Sequence, residues 1–267
     1  EISNEINNRS YTARNIQNIA MGLMQQGYHE EARNKFEESL EIFRELNDLV
    51  LLARTIGNIG ALEYLLGNYD KAREVFEESL VIRSEIGERQ GISIALNNLG
   101  SVTYMQQKYS EAENYLERSL AITKELGDKR IQVTTLATLG SIANDLIDFI
   151  KAAKMFKESI TLSNEIGDKY SLGKGIEGIA SIFLKIKKFE ECCLLSGQYF
   201  SLLQSSNKNM IDAELDKIED IKTELRSNLS ETEFEKLIAE GESLTVERVL
   251  EYADLCLSLV NQNAARS

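Results

Sequence analysis

Asn18, Asn58 and Asn98 stand forty residues apart, and this column of amides is the first feature of the 267-residue chain with a chemistry to offer. A carboxamide carries both a donor and an acceptor, so it can pair with a peptide backbone whatever that peptide's side chains are. Asn97 sets a second amide beside Asn98. Arg14 and Arg54 precede the first two asparagines by four residues, and they add positive charge to a chain with 43 acidic and 30 basic residues. Tyr64 and Tyr104 follow about a turn and a half after Asn58 and Asn98; each offers apolar ring area with a hydroxyl at its tip. The competing expectation is that the asparagines only bond local backbone or face water, as short polar side chains often do. Thr138 and Gly178 end the amide column.

Arrangements that would support catalysis are missing. His29 is the single histidine, and it falls in a column otherwise filled by Tyr69, Tyr109, Phe149 and Phe189, where a ring replaces a ring. No G-x-S-x-G elbow accompanies it. Nor is there a phosphate loop of the G-x-x-x-x-G-K-[ST] type, so any nucleotide chemistry is expected upstream of residue 1. Carboxylate pairs such as Glu37 with Glu38 and Glu77 with Glu78 have the look of a solvated helix face, with nothing in the sequence to perturb their pKa values. Cys192 and Cys193 are neighbours, about 100° apart on a helix, and cannot alone form half of a tetrahedral metal site. With Cys256 they are too few for a disulfide framework, which fits a reducing cytoplasm. We therefore expect no catalytic residue, no metal and no cofactor, and a cytoplasmic location.

The formal net charge of −13 would repel a phosphate backbone, and no basic stripe with interleaved aromatics offsets it. Nucleic acid is excluded as a partner of this segment. No apolar run approaches the eighteen or more residues of a membrane span, so membrane insertion is excluded as well.

The elements that position these residues repeat with a period of forty. A small residue recurs at Ala20, Gly60, Gly100, Gly140 and Ala180, and another at Ala32, Ala72, Ala112, Ala152 and Cys192. Large apolar residues recur at Phe36, Phe76, Leu116 and Phe156, and at Leu40, Leu80, Leu120 and Ile160. Within each unit the apolar spacing is helical, in two stretches separated by short turns such as LGNYDKA. Glycines at Gly67, Gly87, Gly127 and Gly167 sit where the helices must end, and each can adopt the left-handed conformation that closes a helix. Even the opening EISNEINNR overlays the unit ends EIFRELNDL and AITKELGDK, so residues 1–8 are expected to be the tail of a preceding, truncated repeat.

ALNNLGSVTY (95–104) followed by YSEAENYLERSLAI (109–122) resembles the tetratricopeptide repeat in a forty-residue form. The resemblance implies an all-α fold, a right-handed α-α superhelix of about five helix pairs, with Gly100, Ala112 and Leu116 setting the close crossing within a pair. It also implies that the first helices of successive repeats line a concave groove. Arg14, Asn18, Arg54, Asn58, Tyr64, Asn97, Asn98 and Tyr104 are then the candidate ligand- or peptide-binding residues. The clamp that some members use for C-terminal carboxylates needs cations where Ile94 and Thr134 stand, which argues against a receptor for chaperone tails.

After Phe200 the pattern decays, and a C-terminal helical cap is expected over 207–267, following a repeat array over 1–206. A capping box at Ser230 and Glu233 and a cap at Thr245 should open its later helices. This tail is similar to the C-terminal end of bacterial regulators of the STAND ATPase class and related activators, at Leu194, Leu195, Gly197, Leu229, Phe234, Glu240, Gly241, Leu244 and Ala253. That resemblance implies a ligand-sensing or partner-binding array within a larger regulator. A free-standing adaptor that clamps an extended peptide, and an accessory domain of an enzyme, are the alternatives. Self-association through an apolar N-terminal edge made of Ile2, Ile6 and Ile16 is a further expectation.

Overall fold

The computed structural model describes residues 2–205 and 212–264, the side chains of 2–5, 212–214, 263 and 264 excepted. Thirteen α-helices and no strand occur among the described residues. Ten form five consecutive pairs: α1 (Ile2–Gln25) with α2 (His29–Glu45), α3 (Leu49–Leu65) with α4 (Tyr69–Glu85), α5 (Arg89–Met105) with α6 (Tyr109–Leu126), α7 (Lys129–Asp145) with α8 (Phe149–Ile166), and α9 (Lys169–Lys185) with α10 (Phe189–Ser205). Three more follow, α11 (Asp212–Asn228), α12 (Glu231–Glu242) and α13 (Val246–Ala264). Ile211, expected on the apolar face of α11, lies outside the described residues. The contacts divide the chain into two compact bodies, Glu1–Gly127 with repeats 1 to 3 and Asp128–Ser267 with repeats 4 and 5 and the last three helices.

Turn chemistry cuts the helices to length. Gly127 and Gly167 close α6 and α8 in the left-handed region, at φ 69° and 71°. The next residues, Asp128 and Asp168, then cap α7 and α9, each side chain accepting from the backbone N–H three residues on. One Gly-Asp step thus ends one helix and begins the next. Asn47 and Asp48 do the same between repeats 1 and 2. At the matching place near the N-terminus no break occurs: α1 runs through Ile6, Asn7 and Asn8 as one continuous helix.

The second, third and fourth pairs each close on a glycine, where the first and fifth have Ala20 and Ala180. A Cβ on Gly60 would stand 2.7 Å from the Phe76 ring, one on Gly140 would stand 2.7 Å from Phe156, and one on Gly100 would overlap Leu116. Side chains of this size are worth about 2–3 kcal/mol each when fully buried. Small serines complete the crossing, as Ser79, Ser119 and Ser159 each donate to a first-helix carbonyl 26 residues earlier, at 2.8, 2.8 and 3.1 Å. Ala32, Ala72, Ala112, Ala152 and Cys192 are all buried, so the cysteine takes the place of an alanine. Burial pushes the thiols of Cys192, Cys193 and Cys256 up to about 12.

In the C-terminal body α12 lies against α10 at a point where both backbones touch. A Cβ on Gly197 would stand 3.1 Å from the Gly241 Cα and overlap the Ile238 carbonyl. Ser230 caps α12 by accepting from the Glu233 N–H. Thr245 accepts from the Arg248 N–H at the start of α13, which folds back onto α8 with an ion pair from Lys157 to Asp254.

Candidate ligand-binding face

The first helices of repeats 1 to 3 lie side by side, α1 touching α3 and α3 touching α5. Packing buries the column of Ala20, Gly60 and Gly100 and leaves most of the candidate residues with more access to solvent. Arg14, Asn18 and Arg54 are exposed, while Asn58, Asn98, Tyr64 and Tyr104 are half-buried. Seven of the eight residues expected on this face therefore reach solvent. Asn97 differs, being only 8% exposed.

Its column explains why. Gln17, Gly57, Asn97, Ala137 and Glu177 alternate large polar with small residues, and all three large members are buried. Gln17 shows how such a buried polar side chain is satisfied. Its amide reaches from α1 to α3, where Nε2 donates to Thr55 Oγ1 at 2.7 Å and Oε1 accepts from Arg54 Nη2 at 2.7 Å. Gln17 thus fixes Arg54 and acts as a positioning residue that its sequence context left unmarked.

The two tyrosines are held in equivalent ways. Tyr64 packs on Tyr69 and Tyr104 on Tyr109, as tilted ring pairs with centroids 5.7 and 6.0 Å apart. The second ring of each pair opens the second helix of the same repeat, so the loop between the helices is braced. Beside Tyr64, Glu63 is fully buried and accepts from Arg33, from Lys71 Nζ at 2.8 Å and from Asn68 Nδ2 at 2.9 Å. Burial works to raise its carboxyl, but the hydrogen bonds from Arg33, Lys71 and Asn68 outweigh it and hold the group down to about 2. The one signal of this clasp in the sequence was an acid in the column of Leu23, Thr103, Ala143 and Phe183.

In the C-terminal body the corresponding face of α9 is covered from within the chain. Lys217 of α11 pairs with Glu177 at 2.6 Å, and Ile221 and Glu224 of α11 face Ser181 and Leu184 across a cavity of about 180 Å³. Asn144 of α7 donates to Ser181 Oγ at 3.0 Å. The N-terminal edge is uncovered instead: Ile6, Tyr11 and Ile19 are 48, 65 and 54% exposed, whereas Leu99, Leu139 and Ile179 in the column of Ile19 are buried. Ile16, expected in that edge, is half-buried, and the side chain of Ile2 lies outside the described ones. Among the described residues, no group of His, Cys, Asp and Glu could hold a metal ion, and no helix is long and apolar enough to cross a membrane.

A family model described as tetratricopeptide repeat matches residues 11–85 and 91–165, more than half of the chain. The chain belongs to the tetratricopeptide repeat family. The fold of these tetratricopeptide repeats is similar to that of aspartyl phosphate phosphatase F from Bacillus subtilis, at 17% identity and a TM-score of 0.68 over 89% of this chain. The chain spans 61% of that phosphatase's length. It is also similar to BtubC (BKLC) from P. vanneervenii, at 19% identity and a TM-score of 0.62, covering 76% of this chain and 88% of the other. PilF of Pseudomonas aeruginosa is a third, at 16% identity and a TM-score of 0.56, covering 87% of this chain and 99% of the other. At these identities the likenesses show the tetratricopeptide fold alone. No curated relative matches the chain.

Proposed function

We propose that these repeats form a non-enzymatic scaffold that holds an extended peptide segment, with at least one acidic residue, across the first-helix face of repeats 1 to 3. The observation that carries this reading is the uncovered row Asn18, Asn58 and Asn98, flanked by Arg14 and Arg54 on one side and Tyr64 and Tyr104 on the other. Amides at repeated intervals suit a backbone, whose own amides recur every 3.3 Å or so. A segment of about a dozen residues would span the row. Repeats 4 and 5 contribute rigidity, and the cover of α9 by α11 supports leaving that face out of the site.

We further read the chain as the C-terminal sensor region of a larger cytoplasmic bacterial regulator, a signal-transduction ATPase or a transcriptional activator. The support is that residues carrying the tail resemblance do folding work in the cap, since Leu195, Gly197, Phe234, Gly241 and Ala253 are buried there. The uncovered edge of α1 supports self-association or a neighbouring element. An immunoblot of the native polypeptide tests this part. A species longer by at least one domain of about 100–150 residues is expected, and one of only the present length would support the free-standing adaptor instead. The binding reading itself is tested by changing Asn58 and Asn98 together to Ala, which should weaken binding of an extended peptide without lowering the melting temperature.

A further inference from the structure

The cavity of about 180 Å³ between α9 and α11 has a mixed lining. Leu184, Cys192 and Ile221 make part of it apolar, while Glu177, Asp220 and Glu224 bring three carboxylates to it against one cation, Lys217. Burial is what chiefly pushes the Cys192 thiol up, and the charges of Glu224 and Glu177 push in the same direction, so both carboxylates lie near the apolar part. A cavity of roughly 150 Å³ is enough for a benzene-sized molecule, so this one has room for about eight non-hydrogen atoms.

Around this space hydrogen-bond acceptors outnumber donors. Lys217 Nζ is committed to Glu177, which is buried, at 2.6 Å. Asp220 and Glu224 are exposed and have no cation of their own among the described residues. They stand four residues apart on α11, a spacing at which like charges repel and a cation between them is favoured. Behind the cavity wall Asn144 is only 6% exposed; its Nδ2 donates to Ser181 Oγ at 3.0 Å, and its Oδ1 has no hydrogen-bond partner. A buried acceptor is seldom left unpaired, because its lost hydration is costly. The surroundings therefore lack donors and positive charge, and a small cation with N–H groups supplies both.

We propose that this cavity is a binding site for a small protonated amine, with the apolar body of the amine against Leu184, Cys192 and Ile221 and its ammonium toward Asp220 and Glu224. Hydrogen bonds from an ammonium to a carboxylate are charge-assisted and about twice as strong as neutral ones. The site belongs to the C-terminal body and stands apart from the peptide face of repeats 1 to 3, so neither reading depends on the other.

The test is a titration of the 267-residue chain with benzylamine, benzyl alcohol and benzoate, which share a ring and differ in charge, followed by backbone-amide NMR. Benzylamine should bind about tenfold tighter than the alcohol, as charged hydrogen bonds exceed neutral ones, with its shifts confined to α9, α10 and α11. Benzoate should bind more weakly than the alcohol. An acetylated lysine amide carries the same ammonium on a peptide, so whichever of the two amines binds tighter tells a free amine from a partner's lysine side chain. Asp220→Asn with Glu224→Gln, isosteric changes at exposed positions, should bring benzylamine down to the affinity of the alcohol without lowering the melting temperature. Equal binding of benzylamine and benzyl alcohol would overturn the proposal, as would a preference that survives in the double variant or shifts spread over the acidic surface of the repeats.

Discussion

Glu63 of α3 is completely buried and receives an ion pair from Arg33 of α2, so a single carboxylate fastens repeat 2 to repeat 1. Lys71 of α4 binds the same oxygen, which draws the second helix of repeat 2 into the clasp. Removing one partner of a buried pair leaves the other charge uncompensated, and Glu63→Ala should cost about 3 kcal/mol of stability. The pH dependence follows from the direction of the shift. The folded-state pKa is depressed from 4.5 to about 2, so the contribution is fully present above 4.5 and is lost as pH falls toward 2. Urea unfolding of the wild type and of Glu63→Gln at several pH values checks it. The wild-type advantage should shrink steadily below pH 4.5; a constant difference would mean that the carboxylate charge is not what binds the repeats.

Ile147 is a β-branched residue in the left-handed region, at φ 64°, and its side chain is 71% exposed. It occupies the turn position that Gly27 and Gly67 fill in repeats 1 and 2. The strain of that conformation is about 1–2 kcal/mol for an L-residue, and little packing offsets it. Ile147→Asn should therefore stabilise the chain by about 1 kcal/mol, because asparagine tolerates this region. A rise in the urea midpoint at unchanged slope is the expected result, whereas a fall would show that the isoleucine makes a contact worth more than its strain.

The cap of the C-terminal body depends on a backbone approach. A Cβ on Gly241 would lie 2.9 Å from the Leu194 carbonyl carbon and 3.1 Å from the Gly197 Cα, both backbone atoms that cannot rotate away. Gly241→Ala should cost about 1–3 kcal/mol, in the range of overpacked cores. Hydrogen exchange should locate the loss in α10 and α12. If α12 kept wild-type protection while the rest of the body loosened, the glycine contact would not be what holds the cap.

The sequence made the packing of the repeats legible because that packing is local and periodic. Gly100 with Leu116, Ala112 in its column, and the Gly127–Asp128 turn all report contacts between residues a fixed distance apart. Departures from the period were harder to see. Gln17 has nothing in its type or spacing to set it apart from other polar residues of the first helix, and only the geometry shows that it is buried and holds Arg54. Asn97 was placed on the open face with Asn98, but one step along a helix is a 100° rotation and carries it into the seam. The cover of α9 by α11 left no trace at all, since Lys217 meets Glu177 from outside the repeat pattern.

The central claim, that the first-helix face of repeats 1 to 3 holds an extended acidic segment by its backbone, is tested most directly by selection from a random dodecapeptide library on the 267-residue chain. The account predicts that the recovered peptides are acidic and bind the wild type. It also predicts that Asn58→Ala with Asn98→Ala weakens them by about 1 kcal/mol for each backbone bond lost, at an unchanged melting temperature. Alanine substitutions on the corresponding faces of α7 and α9 should leave their affinity alone. Recovered peptides that bind the asparagine double variant as well as the wild type, and lose their affinity when α7 and α9 are changed, would contradict it.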